Sequence, residues 1–487
     1  MTETAIDRPV RVRIAPSPTG YPHIGTFRTF LFNWLFARKH GGKFVIRIED
    51  TDRERLIPDA VEALVEAVKW FGLDWDEGPR VGGDFGPYVQ SERLPIYHEH
   101  LERLLAEGKA YRCYCSPERL QALREEQQAR KEPPGYDRLC RNLKAEERAE
   151  REASGAPSVV RFAVPLEGST TFQDVIHGDV TWENRVLDDF IILKSDGYPT
   201  YHLAHLVDDH LMEISHVLRG DEWISSTPRH VLLYQAFGWT PPVFAHLPAI
   251  LGPDRKKLSK RHGPTGIAAF QEAGYLPEAM LNYLALCGWS SGDDDEVLSL
   301  NELVKRFTLD RVNKTGAIFD HAKLDWFNGI YMRSLTPSDL AKRIRPFLGS
   351  LAEGVDETYL TQVAALIQDR LRTLSDAPEL SEFFLSDELE YDAALLVRPG
   401  TTAETTREAL VRAEALASQV TPFEYQVLEA AYRELATELG LKTNQLFMSI
   451  RVACTGRTAT PPLFETMEVL GRDRVVRRLH AAVERLG

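Results

Sequence analysis

The sequence predicts an α/β fold: a split Rossmann domain that carries an insertion and is followed by a largely helical second half. Three observations support this prediction. A strand, a helix and a second strand follow one another in residues 11–48. Charge-rich helical sequence and then strand-like alternation interrupt this pattern between residues 94 and 187. From about residue 263 onward, apolar residues recur at helical spacing almost throughout.

The first element is a βαβ unit. In residues 11–14 apolar and basic side chains alternate as in a short strand, and Pro16, Pro18 and Gly20 prevent its continuation. Residues 27–40 carry apolar side chains at helical spacing, and two glycines then stop the helix. Residues 44–48 alternate again as a second strand. Such a unit joins two parallel strands by a right-handed crossover.

The start of the predicted helix is a candidate phosphate site. His23 and Gly25 fall there, where free backbone N–H groups and the helix dipole favour an anion. Arg13 and Glu49 fall near the carboxyl ends of the two strands, the edge at which open α/β sheets bind ligands. One cation and one anion at that edge suit a zwitterionic substrate.

A second candidate is the cationic segment 257–261 (KLSKR). Taken alone, it is typical of a solvated basic turn, and a histidine after a Pro-rich turn is typical of a surface loop. Because both segments occur in one chain, in this order, we interpret them together as a clamp for a nucleoside triphosphate.

The remaining elements complete the layout. Helical, charge-rich sequence covers residues 94–151, and strand-like alternation covers residues 158–187. The sheet is predicted to resume at residues 190–193 and again at 214–218. The next helix is predicted to begin at Thr227 and Pro228, with the threonine as its cap.

Composition limits the class of protein. A chain of 487 residues, 43% hydrophobic and 27% charged, is expected to form roughly three to five soluble domains. No apolar run approaches the roughly 18 residues of a membrane span, and residues 1–7 are too polar for a signal peptide. Five cysteines, an odd number, favour the reducing cytoplasm. The net charge of −14 disfavours nucleic acid as a partner without excluding it, because binding faces are local.

Six ordered segments carry a resemblance to a known family. They are residues 13–20 (RIAPSPTG), 47–52 (RIEDTD), 90–93 (QSER), 194–202 (KSDGYPTYH), 207–210 (VDDH) and 257–261 (KLSKR). On these segments the chain resembles the class I aminoacyl-tRNA synthetases, and among them the bacterial glutamyl-tRNA synthetases, along essentially its whole length. Two motifs depart from the general class pattern. Thr26 replaces the second histidine of the HIGH motif, and the KMSKS motif reads KLSKR while keeping Lys257 and Lys260.

The resemblance implies six successive segments of the chain. They are the first half of the Rossmann catalytic domain (1–94), the connective, acceptor-binding insertion (95–187), the second half of the catalytic domain (188–250), a stem-contact domain with the KLSKR loop (251–327), and two helical anticodon-binding domains (328–385 and 386–487).

The resemblance also implies the active-site residues. The expected catalytic residues are His23, Lys257 and Lys260. The expected ATP-binding residues are Pro16, His23, Gly25, Thr26, Leu258, Ser259 and Lys260. The expected glutamate-binding residues are Arg13, Ser17, Glu49, Tyr201, His205 and Arg219.

Two of the glutamate positions keep open questions. Arg219 has a purely structural alternative, an ion pair at the end of its strand with Asp221 or Glu222. His205 stands where relatives often have asparagine, so its role is open.

Arg370, Arg451 and Thr460 match anticodon-contacting positions of the family. An arginine at position 370 is associated there with reading the third anticodon base as C, which favours tRNA(Glu) over tRNA(Gln). The alternatives are a solvated helix residue at Arg370 and, for the helical half as a whole, a dimerisation domain.

The cysteines raise the question of a metal. Some bacterial relatives carry zinc in the insertion, and the matching residues here are Cys113, Cys115, Cys140 and Tyr136. Three reduced cysteines without a metal are the alternative. Cys287 and Cys454 stand apart in helical sequence and are expected to be core residues.

The sequence therefore predicts an enzyme that joins L-glutamate to tRNA(Glu), with ATP and Mg²⁺, through a glutamyl-adenylate. AMP and pyrophosphate are the expected products, and the enzyme is expected to be a monomer. Three alternatives stay open: an enzyme that also charges tRNA(Gln), a small-molecule nucleotidyltransferase of the same superfamily, and an inert tRNA-binding paralogue.

Overall fold

The computed structural model describes residues 8–487, apart from the side chain of Lys260. Residues 1–7, whose polarity entered the prediction above, lie outside this described part. The described chain forms two compact units. The first comprises the residues up to Ala269 together with Leu281–Asp320, and the second comprises Phe270–Met280 together with His321–Gly487.

Within residues 8–487 the strands form four small sheets. With the strands of each sheet given in the order in which they are hydrogen-bonded, the sheets are β1-β2, β6-β5-β9-β8, β3-β4-β7 and β10-β11. The strands are β1 (Arg11–Ile14), β2 (Lys43–Ile46), β3 (Ala110–Cys113), β4 (Val159–Phe162), β5 (Ser169–Asp174), β6 (Gly178–Glu183), β7 (Ile191–Leu193), β8 (His216–Gly220), β9 (Val243–Leu247), β10 (Ile250–Leu251) and β11 (Ala317–Ile318).

The helices follow in chain order. Those that begin before residue 321 are α1 (Ile24–Lys39), α2 (Ala60–Trp70), α3 (Leu94–Ala106), α4 (Pro117–Ala129), α5 (Ala145–Ala153), α6 (Tyr201–Leu211), α7 (Thr227–Phe237), α8 (Ile267–Glu272), α9 (Pro277–Leu286) and α10 (Leu300–Arg306). The others are α11 (His321–Ser334), α12 (Pro337–Leu348), α13 (Glu357–Ile367), α14 (Ala377–Leu385), α15 (Ala403–Gln419), α16 (Tyr425–Glu438), α17 (Thr443–Thr455), α18 (Leu463–Leu470) and α19 (Arg472–Arg485). None of the described helices has the length and apolar composition needed to cross a membrane.

The predicted βαβ unit is confirmed. β1 and β2 pair in parallel, with Arg13 opposite Val45, and α1 connects them. The helix buries an apolar face that includes Phe27 and Phe30, whose rings stack with centroids 5.2 Å apart. β8 lies beside β1, since the backbone N–H of Ser215 donates to the carbonyl of Arg11 at 2.9 Å.

The prediction for residues 190–193 is only half right. A strand, β7, forms there, but it pairs antiparallel with β4 and not with the strands of the second catalytic half. In turn, β5 pairs in parallel with β9, through Asp174 and Phe244. Strand pairing thus links residues on both sides of the boundary expected at residue 187, because hydrophobic alternation identifies a strand without naming its neighbour.

The start of α7 also differs from the prediction. The helix begins at Thr227, but its preceding residue, Ser226, makes no side-chain cap. The hydroxyl of Thr227 instead donates to the carbonyl of Trp223 and lies in the site described below. The helical second half is confirmed; there α15 packs against α19 and α12 against α13.

Candidate active site

His23 caps the first helix. Its Nδ1 accepts hydrogen bonds from the backbone N–H groups of Gly25 (3.1 Å) and Thr26 (3.3 Å). Its Nε2 lies 3.0 Å from the hydroxyl of Thr26. Burial lowers the pKa of His23, and Lys257 lowers it further. A neutral ring that accepts at Nδ1 carries its proton on Nε2, so we assign the Nε2–H as the donor to Thr26.

The tip of α1 is hydrogen-bonded to the segment that follows KLSKR. The N–H of Ile24 donates to the carbonyl of Thr265 at 2.9 Å, and the N–H of Ile267 donates to the carbonyl of Pro22 at 3.1 Å. His23 and Gly266 form an isolated antiparallel bridge between these segments. Although more than 200 residues separate the two motifs in sequence, the backbone brings their flanks into direct contact.

The KLSKR loop projects a cation beside this helix tip. The N–H of Leu258 donates to the carbonyl of Ile250 at 3.0 Å, which anchors the loop to β10. Lys257 is exposed, with its Nζ 3.4 Å from a carboxylate oxygen of Glu222. The N–H of Ser259 donates to His262 Nδ1 at 3.1 Å. The side chain of Lys260, the third expected catalytic residue, lies outside the described residues.

Arg13 belongs to a buried network of ion pairs. Its Nε and one terminal nitrogen donate to the two oxygens of Asp209 at 3.0 and 3.2 Å. Arg47 donates to Asp209 at 2.8 Å and to Glu49 at 2.9 Å. Burial alone lowers the pKa of Arg13, but Asp209 more than offsets it and the pKa is raised. Arg13 therefore stays charged. Its negative charge partner, Asp209, is hydrogen-bonded to both Arg13 and Arg47.

Asp208 extends the same network. Its oxygens accept from Arg93 Nε at 2.7 Å, from Gln90 Nε2 at 2.9 Å and from the hydroxyl of Tyr97 at 2.8 Å. Arg47 Nε lies 3.5 Å away. Except for Tyr97, these residues lie in the segments that carry the resemblance, but the sequence indicated no role for them. Two adjacent aspartates that follow the apolar residues Leu206 and Val207 in α6 were the signal that could have found them, since buried charges are retained only where they are paired.

Glu49 titrates close to neutral pH. Burial raises the pKa of its carboxyl, Arg47 and Arg13 oppose the rise, and the pKa comes to about 7. The N–H of Glu49 donates to the carbonyl of Pro16 at 3.0 Å, which fixes the backbone at the end of this strand. A carboxylate with only one direct arginine partner can still accept a hydrogen bond from an ammonium group.

Arg219 is buried among neutral groups. It donates to the hydroxyl of Tyr201 at 3.1 Å, to the hydroxyl of Thr227 at 2.8 Å and to His246 Nε2 at 3.1 Å, and it lies 3.3 Å from His230 Nδ1. Within residues 8–487 it forms no ion pair. The structural alternative for Arg219, an ion pair with Asp221 or Glu222, is therefore not formed.

Helix α6 joins the two arginines. Tyr201, His205 and Asp209 follow one another at spacings of four, so that they share one helical face. The ring of Tyr201 stacks on that of His205, with centroids 4.3 Å apart and planes 9° apart. Burial lowers the pKa of His205 well below its ordinary value, so its ring is neutral. The pKa of Tyr201 is raised, and burial is the largest cause. Smaller electrostatic effects on this pKa come from the nearby charges of Arg219, Glu49, Arg13 and Asp209.

The remaining expected glutamate residue, Ser17, is exposed and makes no hydrogen bond within the described residues. The other five expected glutamate residues lie together on β1, α6, β8 and the segment that follows β2. This arrangement offers two buried cations, one carboxylate that titrates near pH 7 and one phenol, which suits a zwitterion with an additional carboxylate.

Three expected residues of the helical half also lie together. One terminal nitrogen of Arg451 donates to the hydroxyl of Thr460 and to the carbonyl of Pro461, the latter at 2.7 Å. Burial lowers the pKa of Arg451, and the neighbouring charge of Arg370 lowers it further. Arg370 is exposed in a short 3-10 helix and pairs with no acid among the described residues.

The cysteines of the insertion form one cluster. The sulfur atoms of Cys113, Cys115 and Cys140 all lie within 4.8 Å of one another. The hydroxyl of Tyr136 is 3.3 Å from Cys113 Sγ and 3.6 Å from Cys115 Sγ, so the residue expected as a fourth ligand lies beside the sulfur atoms. Three thiols and a phenol that converge in this way fit a tetrahedral zinc ion. Cys287 and Cys454 are buried in the core, as predicted.

Comparisons with known proteins identify the family of this chain. A family profile described as "tRNA synthetases class I (E and Q), catalytic domain" matches residues 9–326, and one described as "Anticodon binding domain" matches residues 339–483. The chain belongs to the class I tRNA synthetases of the glutamate and glutamine branch. The resemblance stated above is thereby confirmed.

Several known proteins are similar to this synthetase over nearly their full length. The glutamate–tRNA ligase of Dehalococcoides mccartyi is 54% identical over 482 residues, which cover 98% of each chain. That of Acidothermus cellulolyticus is 50% identical over 484 residues, 97% of this chain and 95% of the relative. The crystal structure of a glutamate tRNA ligase from Elizabethkingia meningosepticum, in complex with its amino acid, matches with a TM-score of 0.91 at 35% identity and covers 99% and 100% of the two chains.

Proposed function

We propose that this synthetase joins L-glutamate to the 3′ end of tRNA(Glu) in two steps, through a glutamyl-adenylate, with release of pyrophosphate and AMP. The observation that carries the proposal is that two opposite charges lie near Tyr201: Arg219, an arginine without a carboxylate partner, and Glu49, a buried carboxyl whose pKa is about 7. The full-length relatives named as glutamate–tRNA ligases support it.

The amino acid is held by both ends. Arg13 and Arg219 bind carboxylate, because the guanidinium fork matches carboxylate geometry. Glu49 accepts from the ammonium group, and the hydroxyl groups of Tyr201 and Ser17 add hydrogen bonds. His205 supports Tyr201 through the ring stack.

In the first step the glutamate α-carboxylate attacks the α-phosphorus of ATP and pyrophosphate leaves. The protein supplies positioning and charge stabilisation. His23, Lys257 and Lys260 hold the phosphate oxygens. A bound magnesium ion would supply further neutralisation of the phosphate charge, and the proposal assigns no protein ligands to it.

Adenosine lies against the helix tip and the KLSKR loop. Pro16, Gly25 and Thr26 border it on one side, and Leu258 and Ser259 border it on the other. The hydroxyl of Thr26 orients the imidazole of His23, which takes over what a second histidine does elsewhere in the class.

In the second step the terminal ribose hydroxyl of the tRNA attacks the carbonyl of the adenylate and AMP leaves. The adenylate is already activated, so this step requires no nucleophilic residue of the protein.

The decisive experiment is glutamate-dependent exchange between ATP and pyrophosphate, measured with and without tRNA(Glu). We expect exchange with glutamate that depends on tRNA. If no exchange occurs under either condition, the proposed activity is wrong, and a small-molecule nucleotidyltransferase or an inert tRNA-binding protein becomes the better interpretation.

We also propose that the synthetase discriminates against tRNA(Gln), with Arg370, Arg451 and Thr460 reading the anticodon. Charging of both tRNAs by the same preparation tests this. We expect the unmodified enzyme to transfer glutamate to tRNA(Glu) only. Arg370→Gln should reduce the difference in charging between tRNA(Glu) and tRNA(Gln), and Arg372→Gln is the matched control. Equal charging of both tRNAs by the unmodified enzyme would favour a non-discriminating enzyme.

Cys113, Cys115, Cys140 and Tyr136 are proposed to hold a structural zinc ion, which would tie β3 to the loop around residue 140. The test is the zinc content of the purified protein, with Cys140→Ala compared against Cys454→Ala. We expect about one zinc per chain, lost only in Cys140→Ala. Equal zinc content in all three proteins, or none in any, would favour three reduced cysteines.

A monomeric state, a cytoplasmic location and the six segments of the chain predicted above belong to the same proposal. Light scattering of the purified protein tests the first of these. A dimer whose interface lies in the helical half would favour the dimerisation alternative.

A further inference from the structure

We propose that Asp174, His246 and His230 are positioning residues that hold the guanidinium of Arg219 in place without neutralising it, and that they thereby set the preference of the pocket for glutamate over glutamine. The inference rests on the proposed function, because it assigns Arg219 to the substrate carboxylate. None of the three residues is expected to touch the substrate.

The guanidinium of Arg219 is surrounded by uncharged hydrogen-bond acceptors. Four contacts of its guanidinium go to Tyr201, Thr227, His246 and His230, and all four acceptors are uncharged hydroxyl or imidazole groups. A guanidinium has five N–H donors, so about one remains for a ligand. The side chain is only 5% exposed, so its charge is removed from bulk water and lacks a directly bound anion. A buried charge of this kind favours an anionic ligand.

A chain of hydrogen bonds connects Arg219 to Asp174 across three neighbouring strands. Arg219 on β8 lies opposite His246 on β9, and β9 pairs with β5, which ends at Asp174. Because Arg219 Nε donates to His246 Nε2, that nitrogen is unprotonated and the ring carries its proton on Nδ1. Nδ1 lies 2.6 Å from a carboxylate oxygen of Asp174 and donates to it. Asp174 therefore fixes both the tautomer and the orientation of His246.

Asp174 is itself firmly held. It is 3% exposed, and its oxygens accept from the backbone N–H groups of Ile176, His177 and His246 at 2.9–3.0 Å. Its charge lies one imidazole away from Arg219. The carboxylate thus orients the arginine through the ring without occupying the place of a ligand.

A second branch reaches α7 and α6. His230 Nδ1 faces Arg219, so its Nε2 carries the proton and donates to His202 Nδ1 at 3.0 Å. Burial lowers the pKa of His230 well below its ordinary value and that of His202 to about 4. Both rings are neutral at physiological pH, so they add neither a competing cation nor a competing anion.

The chemical consequence is discrimination between a carboxylate and an amide. A carboxylate accepts from Arg219 and from Tyr201 and neutralises the cation. The amide of glutamine would direct its own N–H groups toward these donors or leave the cation unneutralised. If Arg219 were neutralised by a bound aspartate or glutamate, this difference would shrink. The neutral acceptors therefore serve selectivity as well as orientation.

The test uses the full-length enzyme in ATP–pyrophosphate exchange with tRNA(Glu) present, and it measures the KM for glutamate, the KM for ATP and the inhibition constant of glutamine. His246→Leu removes the acceptor, whereas His246→Gln keeps an oxygen that can accept from Arg219 Nε. We expect His246→Leu to raise the KM for glutamate ~30-fold, with the KM for ATP changed less than about twofold. His246→Gln should restore the KM to within about fivefold, and His246→Glu should lower the preference for glutamate over glutamine the most.

The matched control is His100→Leu. The ring of His100 meets those of Phe237 and Trp239 in edge-to-face contacts and makes no contact with Arg219 among the described residues. The KM of the His100→Leu variant for glutamate should equal that of the unmodified enzyme. If His246→Leu does not fold, the pair His230→Leu and His230→Gln decides in the same way.

Two results would overturn the inference. One is a KM for glutamate in the His246 and His230 variants equal to that of His100→Leu. The other is an equal loss for glutamate and ATP without recovery in the glutamine variants, which indicates a purely structural role. Absence of exchange in the unmodified enzyme would instead refute the proposed function itself, so the two failures are distinguishable.

Discussion

Two arginines of the pocket are buried to the same degree but are compensated in opposite ways. Arg13 is 3% exposed and is held by both oxygens of Asp209, within a network that includes Arg47 and Asp208. Arg219 is 5% exposed and is held by hydroxyl and imidazole groups alone. We call these the ion-pair wall (Arg13, Arg47, Glu49, Asp208, Asp209) and the neutral wall (Arg219, Thr227, His230, His246). They share α6.

The difference separates two uses of a buried charge. In the ion-pair wall each charge needs its partner, and removal of one leaves an opposite charge buried and unpaired, which costs about 3–5 kcal/mol. In the neutral wall no opposite charge touches the arginine, so its removal leaves only neutral acceptors, which a change of tautomer or a water molecule can satisfy. The first wall therefore contributes to stability as well as to binding, whereas the second contributes mainly to binding.

The largest expected effect is on stability. Arg13→Met removes one of the two arginines that hold the buried carboxylate of Asp209, so we expect a loss in the free energy of unfolding that approaches the roughly 3–5 kcal/mol of a broken buried ion pair. Arg219→Met should cost less than about 2 kcal/mol, because no buried anion loses its partner. Urea-induced unfolding of the full chain, followed by circular dichroism, measures both values.

The double variant Arg13→Met with Asp209→Leu is the control for this comparison. It removes both charges, so part of the stability lost in Arg13→Met should return. Equal losses in Arg13→Met and Arg219→Met would show that the two walls do not differ in the way described.

The next effect is on binding. Arg219→Met should lower kcat/KM for glutamate on the order of 10²-fold, because a charge-assisted contact in a buried pocket is lost, while the KM for ATP stays within about twofold. Arg229→Met, a change on the same helix segment as His230, should leave both constants unaltered. A loss confined to ATP would place Arg219 in the nucleotide site and would contradict the proposed role.

Sequence patterns predicted those parts of the site that depend on neighbours along the chain. The helix tip with His23 followed from prolines and glycines around it, and the cationic loop followed from residues 257–261. Partners distant in sequence were not predictable in this way: Arg13 and Asp209 are 196 residues apart, and Arg219 finds His246 only because β8 and β9 are neighbours. The resemblance supplied Arg219 and Glu49 as binding residues but said nothing about what holds them.

Strand partners and caps were missed for the same reason. The alternation in residues 190–193 predicted a strand, yet its pairing with β4 depends on the packing of the insertion. The sequence predicted Thr227 as a helix cap, but its hydroxyl accepts a hydrogen bond from the buried guanidinium of Arg219. Helix propensity, which depends on the local sequence, does not show that a distant arginine uses the hydroxyl that could otherwise cap the helix.

A smaller effect is expected from pH, and it belongs to the ion-pair wall. The pKa of Glu49 is raised by burial to about 7, from an ordinary value of 4.5. Only the ionised carboxylate accepts from the substrate ammonium group, so the KM for glutamate should rise about tenfold per unit as the pH falls below about 7. In Glu49→Gln this dependence should disappear.

The stability of the fold should change in the opposite sense. Because the pKa of Glu49 is higher in the folded than in the unfolded chain, its contribution is fully present below about pH 4.5 and is lost as the pH rises to about 7. Glu49→Gln should therefore gain in melting temperature, relative to the unmodified enzyme, between pH 5 and pH 8. A constant difference between the two proteins would show that Glu49 is ionised throughout this range.

The smallest expected effect concerns Tyr201, which faces both walls. Tyr201→Phe keeps the ring that stacks on His205 but removes the hydroxyl that accepts from Arg219 at 3.1 Å. One hydrogen bond of about 1 kcal/mol corresponds to a rise of about fivefold in the KM for glutamate, with no change in melting temperature. Tyr198→Phe, outside the pocket, is the control. A loss as large as that of Arg219→Met would mean that the hydroxyl, and not the cation, carries the preference for a carboxylate, and the two walls would then differ in hydrogen-bond geometry and not in charge.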